Sequence, residues 1–214
     1  MRLRIQSEIE PTHGALVMFT FLIILAVVLL LILWGVGIYN KLVRLRNQVN
    51  NAWSQIDVQL QRRYDLIPNL VEAVKGYMSY EKGTLEAVIA ARNQAQSARQ
   101  LLEQGGGPTT ASIKDLAAAE ATLKGAVTNI MALAENYPQL RASENMQQLQ
   151  EELSSTENKV AFARQAYNDN VMLYNTTQQE FPASLLAGTF GHHAVELFQV
   201  EDQAVKKAPK ISFS

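Results

Sequence analysis

The feature that most constrains this chain is an uninterrupted apolar run over residues 15–39, which contains no charged residue and no proline. At about 1.5 Å of rise per residue, a helix of this length reaches roughly 37 Å, more than the roughly 30 Å of a bilayer's hydrocarbon core. In water, a helix that is apolar on every side needs other apolar elements around it, and the rest of the chain is too polar to supply them. We therefore predict a transmembrane helix over 15–39 rather than the buried core helix of a soluble protein.

A cleaved signal peptide is the alternative interpretation of this run. Its apolar region is about twice the usual length of a signal sequence, so an uncleaved anchor is favoured, although the small residues at 35–37 give weak cleavage-site character. Trp34 and Tyr39 lie near its C-terminal end, where aromatic rings prefer the headgroup level. We expect the span to end near Tyr39, with residues 1–14 as a short extramembrane tail.

Basic residues on the two sides of the run predict its orientation. Arg2 and Arg4 precede it, and no acidic residue follows it before position 57. Lys41, Arg44 and Arg46 follow it. Because lysine and arginine favour the cytoplasmic side, the margin of three to two predicts a cytoplasmic C-terminal domain.

The composition narrows the classes of function. The formal net charge of −1 gives no electrostatic footprint for nucleic acid, so no nucleic-acid partner is expected. The absence of cysteine excludes disulfides and thiolate metal sites. The chain after the run is rich in alanine, leucine, glutamine, asparagine and glutamate, which predicts a helical domain over 40–181.

A stripe of apolar residues follows the run at the three- and four-residue spacing of an amphipathic helix. Pro68 removes a backbone donor, which predicts a kink, while the continued phase of the stripe argues against a break. We therefore predict that the transmembrane helix continues as the first helix of a bundle. The stripe contains Leu42, Leu45, Val49, Trp53, Ile56, Leu60, Tyr64, Ile67, Val71, Val74 and Met78.

Three more helices are predicted, over 84–104, 110–136 and 144–180, separated by glycine and proline signals. Four stripes joined by short loops predict an all-α fold, with one transmembrane helix continuous with a long antiparallel four-helix bundle of up-down-up-down order. The expected inward face of the second helix contains Leu85, Val88, Ile89, Ala95 and Leu102.

The C-terminal tail, 182–214, has an irregular pattern with one short helical turn. An even number of bundle helices returns the chain towards the membrane before this tail begins. Phe190 and Phe213 are among its apolar residues, which are too many for a purely solvated segment. We expect the tail to pack on the bundle, a neighbouring subunit or the membrane.

Four segments of the chain are long and specific enough to indicate a family. They are YNKLVRLRNQVNNAWSQIDVQLQRRYDLIPNLVEAVKGYMSY at 39–80, ENYPQL at 135–140, TENKVAFARQAYNDNVMLYN at 156–175 and FPASLLAG at 181–188. These segments resemble the LemA family. The resemblance implies a single-pass protein of the bacterial cytoplasmic (inner) membrane with a helical domain, and it brings no established catalytic activity. Some LemA-like proteins are encoded beside membrane metallopeptidases, which implies such an enzyme as a candidate partner.

Charged residues on the first bundle helix are the first place to look for chemistry. Asp57 and Asp65 are candidate acid–base groups, but catalytic carboxylates need a concave site and a bundle helix faces mostly solvent. A solvated face or ion pairs between helices is the favoured interpretation. Among such pairs we predict a contact of Arg62 or Arg63 with Glu157, which would set the helix register more than it stabilises the fold.

Aromatic and amide residues repeat on the fourth bundle helix. Tyr167-Asn168 and Tyr174-Asn175 are seven residues apart, so both pairs lie along one side of the helix. Such pairs can hold a ligand, but rings in the core with amides bonded across helices are favoured. Trp53 is likewise expected in the core or an interface.

His192 and His193 are adjacent in a glycine-flanked loop, which is not the spacing of a helical metal site. No serine lies in a nucleophile-elbow motif. We therefore predict no catalytic residue, no metal site and no cofactor.

The leading hypothesis is a non-enzymatic helical scaffold anchored in the lipid bilayer, which self-assembles as a homo-oligomer or recruits partners at the membrane surface. Membrane organisation or remodelling is one candidate process. The alternative is an accessory or adaptor subunit of a membrane protease or transport complex. An enzyme acting on membrane lipid or peptide is the third hypothesis. It ranks last because the sequence contains no catalytic constellation.

Overall fold

The computed structural model describes residues 10–78, 80–105, 108 and 110–199, and this part of the chain contains helices and no strand. Residues 192–199 follow the last helix without regular structure. The predicted all-α fold, with a long apolar N-terminal helix, a helical bundle and an irregular C-terminal segment, is confirmed. The helices are α1 (Glu10–Lys75), α2 (Lys82–Gln104), α3 (Thr110–Ala134), α4 (Pro138–Arg141), α5 (Glu144–Gln179) and α6 (Ala183–Ala187).

The chain divides into two compact units. Among the described residues, the first unit contains 10–44 and 177–193, and the second lies within 45–176 and 194–199. Helix α1 contributes residues to both. The second unit is the helical bundle, and the end of the described chain, 194–199, belongs to it.

The part of α1 in the second unit buries the predicted stripe. Helix α1 continues through Pro68 without a break. Its repeat of three and four residues places these side chains on one face, where burial of apolar surface stabilises the bundle. Leu42, in the first unit, is buried as well, and Met78 is buried just after the end of α1. The buried stripe residues of α1 in the second unit are Leu45, Val49, Trp53, Ile56, Leu60, Tyr64, Ile67, Val71 and Val74.

Pairs of contacts at different heights show that α1 is antiparallel to α2 and α5, and that α3 is antiparallel to α5. Residue numbers rise on one helix as they fall on the other in every case. These directions give the up-down-up-down order, with α5 as the fourth long helix. The contacts are Asp57–Arg99 and Tyr64–Arg92 for α1 and α2, Arg46–Tyr174 and Trp53–Tyr167 for α1 and α5, and Lys124–Glu157 and Met131–Gln150 for α3 and α5.

Helix α2 differs from its predicted inward face at one position. Ile89 was expected inside but is 42% exposed, and Ala91 is buried instead. At about 100° per residue, Ala91 lies about 60° from Val88 around the helix, whereas Ile89 lies about 100° away. The small residue therefore faces the core and the large one faces outwards.

The loop between α3 and α5 contains a helix that the sequence did not predict. Helix α3 ends at Ala134, two residues before the expected end, and Pro138 begins the four-residue helix α4. Proline suits the first helical position because its fixed φ is helical and because a backbone N–H there has no hydrogen-bond partner within the helix. Leu140 is buried, so this short helix contributes to the core.

Candidate interaction surfaces

A buried charge cluster joins α1 to α3 within the bundle. Arg63 Nη1 lies 3.1 Å from Glu120 Oε2, and the two side chains are only 8% and 5% exposed. The Tyr64 hydroxyl donates a hydrogen bond to Glu120 Oε1. Both carboxylate oxygens are therefore engaged by neighbouring groups, as a buried charge requires.

Burial governs the protonation of this cluster. Burial raises the pKa of Glu120 because it disfavours the carboxylate, and Arg63 and the hydrogen bond from Tyr64 oppose that effect. Burial also raises the pKa of the Tyr64 phenol, and the adjacent Glu120 charge adds to it. The tyrosine therefore stays a hydrogen-bond donor across the neutral range.

The observed ion pairs differ from the arginine–Glu157 contact expected from the sequence. Arg63 pairs with Glu120, and Glu157 Oε1 lies 2.9 Å from Lys124 Nζ. Helix α3 carries both Glu120 and Lys124, so it supplies the partner in each pair. Arg62, the other candidate, is exposed. The expected contact involved α1 and α5 alone, whereas α3 supplies the groups that pair with both charges.

Arg99 joins α2 to α1 at a second polar contact. Its Nε and Nη2 donate to the two carboxylate oxygens of Asp57, the second at 2.9 Å, and its Nη1 donates to Gln61 Oε1. Nη2 also donates to Glu103 at 2.8 Å. The hydrogen bond to Asp57 is the largest cause that raises the pKa of Arg99. Asp57 thus forms the inter-helix ion pair that was preferred over an acid–base role.

We expect Arg99→Lys to lose most of the stability that Arg99→Ala loses, on the order of 1–3 kcal/mol in the free energy of unfolding. Lysine keeps the charge but cannot donate two parallel bonds to one carboxylate. Urea unfolding of the full chain in detergent measures both variants. Lys75→Ala is the control, because the Lys75–Glu72 pair is 66% and 78% exposed and should contribute less than about 0.5 kcal/mol. Wild-type stability in Arg99→Lys would show that the forked geometry contributes nothing.

Residues 194–199, here called the docked segment, pack on the bundle. Phe198 is 1% exposed, and its ring centroid lies 5.8 Å from that of Trp53. Trp53 also meets Tyr167 edge-on, with centroids 5.5 Å apart. Aromatic rings prefer such tilted and edge-to-face arrangements. Trp53 and Tyr167 therefore lie in the core, the interpretation favoured from the sequence. The docked segment packs on the bundle, which is one of the three surfaces expected for the tail.

Two asparagine side chains of α5 bind the backbone of the docked segment. Asn175 donates to the Val195 carbonyl at 2.8 Å and accepts from the Val195 N–H at 2.9 Å. Asn168 does the same with Phe198, at 3.2 and 2.8 Å. The Tyr167 hydroxyl donates to the carbonyl of Glu196 at 3.0 Å.

The seven-residue repeat on α5 explains why both amides reach this backbone. Seven residues of helix rise about 10.5 Å, and three residues of extended chain cover about 10 Å. Asn168 and Asn175 are therefore spaced to hold Phe198 and Val195, which run in the opposite direction. The amides were expected to bond to another helix, but they bond to an extended segment instead.

The first unit exposes a continuous apolar surface on α1. Its large apolar side chains from Leu16 to Leu33 are each 44–67% exposed, and no other described element covers them. This stretch is long and apolar enough to cross a membrane. At its C-terminal end, Tyr39 contacts the rings of Phe190 and His192, with centroids 5.1 and 6.1 Å apart.

The remaining predicted residues lie at separate places. Asp65 accepts a hydrogen bond from Gln61 at 2.7 Å on an exposed part of α1. Tyr174 is fully buried, and burial raises its pKa while Arg46 opposes the shift. Phe213 lies outside the described residues. Within the described ranges, no three histidine, aspartate or glutamate side chains form a group that could hold a metal ion.

Glu120, Arg92 and Arg99 were missed, although the sequence contained a signal for each. Glu120 falls in the inward stripe of α3, between Leu116 and Leu123. Arg92 and Arg99 continue the spacing of the inward stripe of α2 in the same way. A charged residue at an apolar position of a helical stripe indicates a partner on the facing helix, because a buried charge must be paired.

The model of the LemA family matches residues 52–213 of the chain. The chain is 26% identical over 203 residues to "Magnetosome protein MamQ 2" and, with the same values, to "Magnetosome protein MamQ 1" of Paramagnetospirillum magneticum, covering 88% of this chain and 73% of each relative. It is 24% identical over 167 residues to "Protein LemA" of Metamycoplasma hominis, covering 78% of this chain and 71% of that protein.

Proposed function

The chain belongs to the LemA family, and we propose that it is a non-enzymatic scaffold anchored by α1 in the bacterial cytoplasmic membrane, with its helical bundle in the cytoplasm. The observation that carries the proposal is the uncovered apolar surface of α1. Burying such a surface in lipid stabilises it, whereas leaving it in water costs about 25 cal/mol per Å². The findings fit a membrane-associated helical protein. We infer the scaffold role from the internally paired charges of the bundle and from the apolar side chains on its outer faces.

The polar clusters of the bundle support a structural role. The Glu120 carboxylate is held by Arg63 and Tyr64, and the Asp57 carboxylate by Arg99. Groups that are engaged by each other across helices fix helix register. We assign these charges to the internal packing of the bundle, so its outer faces are the surfaces available for binding.

Self-association is the form of scaffolding we propose. Phe162 and Leu173 are 73% and 52% exposed, and their spacing of eleven residues on α5 places them on one side of the helix, about 20° apart. Two exposed apolar side chains on one helix face are suited to a contact between copies. The similarity to magnetosome proteins supports a role in association with such a structure, and it assigns no partner to this chain.

We expect the full chain, purified in detergent, to have the mass of an oligomer by light scattering with detergent correction. Phe162→Glu should reduce that mass, because it places a charge in the proposed contact. Gln94→Glu is the control, since it adds the same charge at an exposed position of α2 and should leave the mass unchanged. A monomeric wild type would overturn self-assembly. If that monomer also co-purified with a second membrane protein, the adaptor alternative would replace it.

A further inference from the structure

A short loop lies beside the end of the apolar part of α1. This loop, residues 181–191, contains α6 and the turns that flank it, and it belongs to the same compact unit as the apolar helix. A Cβ built on Gly35 would lie 3.9 Å from Leu186 Cδ1, so this side chain reaches the helix at Gly35. The Phe190 ring contacts Tyr39 with centroids 5.1 Å apart. The loop therefore packs against the last turn of the predicted span.

The loop turns apolar side chains outwards. Phe181 is 79% exposed, Leu185 is 68% exposed and Phe190 is 48% exposed. The sequence FPASLLAGTFG over 181–191 contains no charged residue. Large exposed apolar side chains without any intervening charge are a costly surface in water and a suitable one in lipid.

Several backbone donors of the loop are satisfied within the chain, which lowers the cost of placing the segment in lipid. The Ser184 amide donates to Glu180 O at 3.0 Å, and the Phe190 amide donates to Leu186 O at 3.1 Å. Immediately after the loop, the His192 amide donates to Ala187 O at 2.9 Å. These bonds close the turns around α6 within the chain.

The contacts with α1 set the depth of the loop. If Tyr39 lies at the headgroup level, Gly35 lies roughly 6 Å further into the bilayer, at about 1.5 Å per residue. Amphipathic segments that bind membrane surfaces bury their apolar faces about 5–10 Å deep. A side chain that reaches Gly35 is therefore at the depth of a membrane-inserted surface.

We propose that residues 181–191 form a second membrane element, which inserts Phe181, Leu185 and Phe190 into the leaflet where α1 leaves the bilayer. This inference rests on the proposed anchor. Lipid is the proposed occupant because the loop packs against α1 at Gly35 and Tyr39, where the apolar surface of that helix ends. A second protein copy is the competing occupant, and the experiment below separates the two.

The chain contains no cysteine, so one introduced cysteine can be labelled with an environment-sensitive fluorophore. The test variant is Leu185→Cys in the full chain, reconstituted in vesicles of phosphatidylethanolamine and phosphatidylglycerol. Leu31→Cys in the apolar helix and Gln94→Cys on the bundle are the lipid and water references. We expect the Leu185 label to emit at the shorter wavelengths of the Leu31 label, and lipids with a nitroxide near the headgroup to quench it at least about fivefold more than the Gln94 label.

Each of the other outcomes of this labelling experiment would contradict a specific part of the proposal. A Leu185 label that behaves like the Gln94 label, while the Leu31 label is in lipid, would overturn the inference and leave the anchor intact. A Leu185 label with short-wavelength emission that the nitroxide lipids do not quench would show that the loop contacts protein, and it would overturn the insertion into lipid. A water-exposed Leu31 label would overturn the anchor itself. Ser184→Cys, a smaller change at an exposed position of the same loop, repeats the measurement if Leu185→Cys does not fold.

Discussion

Glu120→Ala is expected to lower the free energy of unfolding of the bundle by about 3–5 kcal/mol, because it leaves the Arg63 charge buried without its partner. It also removes the acceptor of the Tyr64 hydroxyl. Chemical unfolding of the full chain in detergent, followed by circular dichroism, measures the loss. Glu157→Ala is the matched control. Its ion pair with Lys124 is about half exposed, so its effect should stay below about 1 kcal/mol.

A rescue variant separates the buried charge from simple loss of packing. Arg63→Met combined with Glu120→Leu removes both charges and keeps apolar volume, which is often neutral or stabilising for a buried pair. We expect this double variant to recover most of the stability, with a residual loss of about 1–3 kcal/mol for the unpaired hydroxyl of Tyr64. A double variant as unstable as Glu120→Ala would contradict the assignment of the loss to an unpaired charge.

The same cluster predicts a pH dependence. Burial raises the pKa of Glu120 above its usual value of 4.5, so the folded protein binds this proton more tightly than the unfolded chain. Its contribution to stability is therefore fully present below the usual pKa and is lost as the pH rises through the raised pKa. Glu120→Gln cannot titrate, so the stability of the wild type relative to this variant should fall with rising pH across that interval.

Asn168→Leu combined with Asn175→Leu is expected to release the docked segment. The double variant removes four side-chain hydrogen bonds to Val195 and Phe198, roughly 2–6 kcal/mol if their net contributions add. Hydrogen exchange at these two backbone amides should accelerate by well over tenfold, since about 1.4 kcal/mol corresponds to one factor of ten. Mass spectrometry of the peptide that covers 192–199 measures the change in native conditions.

Asn170→Leu is the control for this release. Asn170 lies on the same helix and donates to the Ala166 carbonyl of α5 rather than to the docked segment. Exchange at Val195 and Phe198 should keep its wild-type rate in this variant. Unchanged protection in the double variant would mean that burial of the Phe198 ring alone holds the segment in place.

Much of the fold could be predicted from the sequence, because the signals are local. The stripe from Leu45 to Val74 repeats with the period of a helix, and a helical backbone then places those residues on one face. The missing charges over 15–39 similarly identify a surface unsuited to water. Tyr167 and Tyr174 were placed in the core by the same periodicity, and both are fully buried.

The candidate site was less predictable, because its contacts join residues far apart in the chain. The pairs Arg63–Glu120 and Asp57–Arg99 depend on which helix lies beside α1 at each height. An apolar stripe indicates that a helix face is buried, but it does not identify the helix that packs against that face. The repeat of Asn168 and Asn175 was visible, yet nothing in it indicated an extended partner.

The sequence alone determined which surfaces of this protein avoid water: one apolar helix and the inward faces of a helical bundle. It could do so because apolar burial is non-directional and needs only the right residues at the right period. The tertiary structure decided which charge meets which, and that Val195 and Phe198 lie on α5. Ion pairs and hydrogen bonds are directional and short-ranged, so their partners depend on the spatial order of the helices, which no local pattern records.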